Sequence, residues 1–197
     1  MKPIIAVDMD GVMVSVNPII VDALNDAEIE LPSEHEGVPR QVSYDDITEF
    51  DYAKTFGRKG RDIAYAVWER EDLYDDLDPE PDCEDVLEEL RKYYRVIAVS
   101  SPFVSHAESK LNWLIRRGFM HDDIFLLWDK TLLFPSIDLI VEDKPKTIMA
   151  ASHAKVPTVV HARPWNKGIT DSPFTALAEN WLQIWDCINE ARAEGLF

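Results

Sequence analysis

The sequence predicts an α/β fold: a doubly wound parallel sheet with a small helical cap inserted after the first strand. Short continuous apolar runs, such as Ile4-Ile5-Ala6-Val7 and Val96-Ile97-Ala98-Val99, read as strands buried on both faces, the pattern of parallel sheets. From Arg95 onward, strand and helix patterns alternate. Between the first strand and the second lies a segment of different character, from about Val14 to Pro79, too long for one crossover helix. The expected division is a core of residues 1–14 and 80–197 that carries the site, with a helical cap over 15–79.

The elements follow in order. Ile4 to Val7 form the first strand and deliver Asp8-Met9-Asp10-Gly11 at its carboxyl end. Asn17 with Pro18 behind it suits a helix start, and the helix runs through Leu24. Leu31 to Gly37, with Pro32 and Pro39, reads as loop, and Arg61 to Arg70 as helix. Pro79 and Pro81 mark the return to the core, before a helix over Glu84 to Tyr93 with Val86, Leu87 and Leu90 on one face. Arg95 to Ser100 is the second strand. Ser105 with Glu108 has the form of a capping box opening a helix to about Arg117, which Gly118 stops. Ile124 to Trp128, Ile137 to Val141 and Thr158 to Val160 read as three more strands, with a helix over Thr147 to Ala154 between the last two.

At 197 residues the chain is long enough for a solid core, burying about 70% of the surface an unfolded chain exposes. Hydrophobic residues at 46% and a mean hydropathy of −0.20, with no long apolar stretch, describe a globular protein without a membrane span. The chain enters a strand almost at once with no signal-peptide pattern, so a cytoplasmic location is expected. Cys83 and Cys187 lie far apart, in neither a metal-ligand nor a disulfide pattern. A formal net charge of −17 argues against a nucleic-acid polymer as partner, because phosphate backbones are held by clustered Lys and Arg. A small anion held by a local metal ion and one or two cations is compatible with it.

The polar residues at the strand ends are the candidates for chemistry: Asp8 and Asp10, Ser100 and Ser101, Lys130, and Glu142 with Asp143. In a doubly wound sheet all parallel strands present their carboxyl ends to one edge, so these residues should share a crevice. The set has the parts for phosphoryl transfer: a carboxylate to attack phosphorus, a second to protonate the leaving oxygen, hydroxyl and ammonium groups for phosphate oxygens, and acids to hold Mg²⁺. No Gly-rich P-loop is present. Taken singly, each has a plainer reading: a polar turn for Asp8-Met9-Asp10, a strand-end serine, a turn lysine, a solvated acidic loop. Their occurrence in order, each after an apolar run, favours function.

In this pattern the chain resembles the haloacid dehalogenase superfamily of aspartate-dependent phosphatases. The first motif corresponds to Asp8-Met9-Asp10-Gly11-Val12, the second to Ser100, the third to Lys130 and the fourth to Glu142-Asp143. Within it the chain is similar to the 5′(3′)-deoxyribonucleotidase family through Val99-Ser100-Ser101-Pro102, Trp128-Asp129-Lys130-Thr131, Val141-Glu142-Asp143-Lys144-Pro145, and the stretch Ile63 to Pro79. It departs in Glu142, where many relatives have Asp, in Leu73-Tyr74, where an aromatic pair is usual, and over Ser15 to Thr55, which match poorly. The resemblance implies a Rossmann-like core, Asp8 as nucleophile forming an aspartyl-phosphate, and Asp10 as acid and then base. It also implies Mg²⁺ held by Asp8, the carbonyl of Asp10, Asp143 and Glu142, and phosphate oxygens bound by Ser100, Ser101 and Lys130.

The implied substrate is a nucleoside monophosphate, with deoxyribonucleotides foremost. Phe50, Phe56, Trp68 and Tyr74 are candidates to stack on a base, and Phe50, Trp68 and Tyr74 are the expected pocket residues. Trp68 is equally well placed for cap core, and the Arg163-Pro164-Trp165-Asn166 loop fits two readings equally, a border of the mouth or a surface tryptophan packed on proline, so no role is assigned to it. The five histidines have no metal-site spacing. A homodimer is carried as one expectation. The alternatives are a phosphatase acting on another small phosphate, such as a sugar phosphate, and a non-enzymatic acidic interaction protein.

Overall fold

Six strands line up in parallel in the computed structural model, which describes residues 2–32 and 39–197. In chain order the strands are β1 (Ile4–Asp8), β2 (Glu30–Leu31), β3 (Arg40–Gln41), β4 (Arg95–Ser100), β5 (Ile124–Leu126), β6 (Leu139–Glu142), β7 (Thr158–His161) and β8 (Thr175–Ala178). The main sheet has the order β5-β4-β1-β6-β7-β8, while β2 and β3 form a separate antiparallel ribbon. The central strands are buried along nearly their whole length, which is why they read as unbroken apolar runs. Ala6 is level with Ile97 on one side and Ile140 on the other. That register brings the carboxyl ends of β1, β4 and β6 to one edge. The chain builds outward to β5 on one side of β1, then returns to build β6, β7 and β8 on the other, so β1 sits at the topological switch point.

The helices are α1 (Asn17–Asp26), α2 (Tyr52–Trp68), α3 (Cys83–Tyr93), α4 (Ala107–Arg116), α5 (Pro145–Ala154) and α6 (Trp181–Ala193). Pro18 starts α1 and Pro145 starts α5, where a missing N–H costs nothing. Asp51 caps α2 by accepting from the amide of Ala53, and Asn180 caps α6 by accepting from Gln183. In α2, Gly57 interrupts the helix with φ 67° and ψ −173°. Gly60 permits close contact with α1: a Cβ there would lie 2.3 Å from Phe56 Cβ and 3.4 Å from Leu24 Cδ2. The segment between Val14 and Glu80 leaves and rejoins the core at one point, where the amide of Glu80 donates to the carbonyl of Met13 at 2.8 Å. Its Leu24, Phe56, Ala64 and Val67 belong to the same buried cluster as Val12, Leu87 and Trp181.

The strands and helices expected from the apolar pattern are present, with ends displaced by a few residues. The stretch read as helix from Arg61 is part of α2, which begins nine residues earlier, at Tyr52. Its start has few apolar residues and is set by the Asp51 cap. The capping box at Ser105 does not form: α4 begins at Ala107 with His106 before it, and the His106 ring instead packs inward, Nδ1 2.7 Å from the carbonyl of Trp68. Strand β8 was not anticipated, since Thr175-Ala176-Leu177-Ala178 is short and weakly apolar. The loop expected over Leu31 to Gly37 lies mostly outside the described residues; Leu31 itself pairs in β2. No helix among the described residues is long and apolar enough to cross a membrane.

His161, at the end of β7, is fully buried, with Nδ1 3.2 Å from Arg163 Nη2. Burial first, and then the Arg163 charge, push its pKa down to about 3. The unfolded chain therefore binds a proton below about pH 6.5 that the folded chain refuses, and stability contributed by neutral His161 is lost as pH falls from there toward 3. Between pH 6.5 and 5 this amounts to about 2 kcal/mol. Urea denaturation at pH 7 and pH 5 should show that loss, and His161→Gln should flatten it.

Candidate active site

The switch point is where the charged groups gather. Asp8 ends β1, Ser100 ends β4 and Glu142 ends β6. Asp10 follows in a tight turn closed by the amides of Met13 and Val14 donating to the carbonyl of Met9, at 2.9 and 3.1 Å. Lys130 opens a short 3₁₀ segment after β5, and Asp129 caps it by accepting from the amide of Thr131. The Lys130 Nζ stands 2.6 Å from Asp8 Oδ2 and 2.7 Å from Glu142 Oε2. All three side chains are at most 7% exposed.

Asp8, Glu142 and Asp143 each offer a carboxylate oxygen within 4.8 Å of the others. Burial and the neighbouring Glu142 charge hold Asp8 well above the usual carboxylate range, against the opposing pull of Lys130. Burial, Asp8 and Glu142 do the same to Asp143. Glu142 goes the other way: burial raises it, but Lys130 and hydrogen bonds outweigh that. Its Oε2 faces Lys130, and its Oε1 accepts from the amides of Asp143 and Lys144 at 3.1 and 3.0 Å. Three buried carboxylates against one ammonium leave surplus negative charge that a divalent cation with a preference for oxygen would balance. The donor set therefore fits such an ion.

Asp10 belongs to a second cluster that the sequence reading did not anticipate. Lys110 in α4, fully buried, donates to Asp10 Oδ2 at 2.8 Å, to Ser100 Oγ at 2.9 Å and to the carbonyl of Ser101 at 3.3 Å. Ser100 Oγ donates to Asp10 Oδ2 at 3.0 Å, and the Tyr74 hydroxyl donates to Asp10 Oδ1. Burial alone would raise the Asp10 pKa, but Lys110 and these hydrogen bonds outweigh it and hold the group ionised. A signal for Lys110 exists in the sequence. Its neighbours at helical spacing, His106, Trp113 and Leu114, are all buried, so this lysine lies on the inward face of α4.

Beside these groups opens a cavity of about 320 Å³ whose lining includes Asp8, Asp10, Ser101, Lys130, Asp143 and Lys144. Trp68 and Phe103, stacked at 6.0 Å with planes 21° apart, form one aromatic wall, and Trp128 joins it at 5.7 Å from Phe103. Phe50 and Trp165 meet edge to face at 5.9 Å in another part of the lining. Phe50 and Trp68 thus stand where a pocket role was expected. Tyr74 does not line the cavity; it is fully buried and spends its hydroxyl on Asp10, so it has no free face to offer a base. Ser100 is likewise turned away from the cavity, onto Asp10 and Lys110, whereas Ser101 lines it. Phe56 is packed in the buried cluster.

The loop after β7, assigned no role from sequence, is bound into the site. Arg163 Nε donates to the carbonyl of Gly11 at 2.7 Å and its Nη2 lies 2.8 Å from Glu80 Oε1. Asn166 Nδ2 donates to the carbonyls of Asp143 and His161, both at 2.9 Å. Trp165 Nε1 donates to Asp143 Oδ2 at 2.9 Å.

A family model described as 5′ nucleotidase, deoxy (Pyrimidine), cytosolic type C protein matches residues 2–194. Among solved structures, a family IA, variant 3 haloacid dehalogenase hydrolase from Entamoeba histolytica is similar with a TM-score of 0.58 at 12% identity, over 96% of this chain and 100% of that one. A haloacid dehalogenase-like hydrolase from Xanthomonas campestris gives 0.57 at 8% identity, over 98% and 97%. A haloacid dehalogenase-like protein from Agrobacterium tumefaciens gives 0.58 at 13%, over 98% and 100%. At these identities the likeness is one of fold. A comparison with curated proteins finds no matching relative.

Gly11 is the tightest point of the site. It has φ +80°, and a Cβ there would fall 2.1 Å from Asp143 Oδ2 and 3.2 Å from Trp165 Cζ2. Gly11→Ala should cost about 1–2 kcal/mol for the left-handed backbone alone, read by chemical denaturation. Calorimetric titration with a divalent cation should show weakened binding, because Asp143 has to move.

Proposed function

The chain belongs to the cytosolic type C family of 5′ nucleotidases, deoxy (Pyrimidine), and is a phosphatase of the 5′-nucleotidase type on a haloacid dehalogenase fold; from that premise we propose that it hydrolyses nucleoside monophosphates, deoxyribonucleotides foremost, in a Mg²⁺-dependent reaction. The observation that carries this reading is the pairing of Asp8 with Lys130 at 2.6 Å, beside a carboxylate cluster and at the floor of an aromatic cavity.

In this reading an oxygen of Asp8 attacks phosphorus, the bond to the nucleoside oxygen breaks, and an aspartyl-phosphate forms. Asp10 gives the departing oxygen its proton and then takes one from the water that hydrolyses the intermediate. Held ionised by Lys110, Tyr74 and Ser100, Asp10 is prepared for the second step. Arrival of the negatively charged phosphate raises its proton affinity for the first. Asp8, the carbonyl of Asp10 and Asp143 would hold Mg²⁺, with Glu142 behind them fixing Lys130. When bound, the ion neutralises phosphate charge against the carboxylate nucleophile. Lys130 and Ser101 face the cavity and suit the phosphate oxygens, as do backbone N–H groups beside them.

Residues 15–79 act as the cap, and its Phe50 and Trp68 form pocket wall with Phe103 and Trp128 from the core. Aromatic faces of this kind suit a nucleobase better than a bare sugar. A cytoplasmic site of action agrees with the family description.

Phosphate release measured over ribo- and deoxynucleoside monophosphates and sugar phosphates should be fastest with deoxynucleotides and should cease on chelation of Mg²⁺. Sugar phosphates turned over faster than every nucleotide would overturn the substrate assignment. Asp8→Asn should lower kcat at least about 10³-fold, and Lys110→Met about 10²-fold with little change in KM.

A further inference from the structure

Trp165 touches the acidic cluster and the pocket wall at once. Its indole N–H donates to Asp143 Oδ2 at 2.9 Å. Its ring meets Tyr44 at 6.0 Å and Phe50 at 5.9 Å, both at steep angles. The backbone on either side is pinned: Arg163 is bound to Gly11 and Glu80, and Asn166 accepts from the amide of Arg163 at 2.8 Å while donating to the carbonyls of Asp143 and His161. The indole is thus a fixed object, and it donates to the Asp143 carboxylate.

We propose that Trp165 is the positioning residue for the metal-binding carboxylate of Asp143, an inference that rests on the Mg²⁺ site of the proposed function. An aspartate carboxylate turns about its last torsion with only a broad two-fold preference. A single neutral donor on Oδ2 selects one orientation and leaves the other oxygen to the ion. Indole suits this task because it donates and never accepts, and it brings no charge to compete with a cation. Gly11, with no Cβ, gives the carboxylate room to lie between the turn and the indole. Glu142 is held differently, by Lys130 and the amides of Asp143 and Lys144, so the two neighbouring side chains take their orientation from different donors. The arrangement is an outer-shell hydrogen bond of the kind that tunes a metal ligand.

The test is calorimetric titration of the protein with Mg²⁺ alone, with no nucleotide. Trp165→Phe keeps a ring against Tyr44 and Phe50 but removes the N–H, and should bind Mg²⁺ about 10-fold more weakly with an unchanged melting temperature in metal-free buffer. Its kcat should recover at high Mg²⁺. Phe50→Leu, which loosens the ring contact and keeps the N–H, should bind Mg²⁺ as the wild type does. In the wild-type protein the Trp165 indole N–H resonance should shift on Mg²⁺ addition, a readout that needs no folded variant. Wild-type Mg²⁺ affinity in Trp165→Phe, an equal loss in Phe50→Leu, or an unmoved resonance would each overturn the inference. If the metal effects appear and no nucleotide is hydrolysed, the positioning role stands and the substrate assignment falls.

Discussion

An ammonium buried between two carboxylates is the interaction on which the rest is built. Lys130 reaches from just beyond β5 to Asp8 on β1 and Glu142 on β6, so one side chain ties three strand ends, one of them more than a hundred residues away in the chain. Taking these charges out of water is costly, and removing one partner of such a cluster costs about 3–5 kcal/mol. The parallel register makes the meeting possible by bringing those ends to a common edge. With three carboxylates gathered on one ammonium, the cluster has a donor set that fits a divalent cation.

Two carboxylates only two residues apart receive opposite treatment. Asp8 sits among other acids and is driven toward protonation, while Asp10 sits against Lys110, Ser100 and Tyr74 and is held ionised. The turn after β1 is what separates them, sending Asp8 toward β6 and Asp10 toward β4 and α4. Pushing the proton affinities of two neighbouring acids apart is how one small site gives them different chemical tasks.

What could be read from the sequence was the part written in local pattern. Buried parallel strands need unbroken apolar runs, so β1, β4, β6 and β7 were legible, and with them the residues at their ends. Lys110, Trp165 and Asn166 were not. Their importance comes from contacts made across the fold, 100 positions away for Lys110 to Asp10, 22 for Trp165 to Asp143 and 23 for Asn166 to Asp143, and no spacing rule announces such a meeting. Lys110 left one trace, as a charged residue on the buried face of an amphipathic helix. Tyr74 was misplaced for a related reason: aromatic character suggests a stacking surface, but its hydroxyl found an acid, and burial decided between the two.

The single hydrogen bond from Glu80 to Met13 closes the segment between Val14 and Glu80 at its base. Since its two ends meet at one place beside the core, the length of chain between them is nearly decoupled from strand order and register. A lineage could lengthen, shorten or recompose the part of that excursion that does not touch Asp10, trading one recognition surface for another, while Tyr74 stayed as the strut that keeps the charged floor in shape.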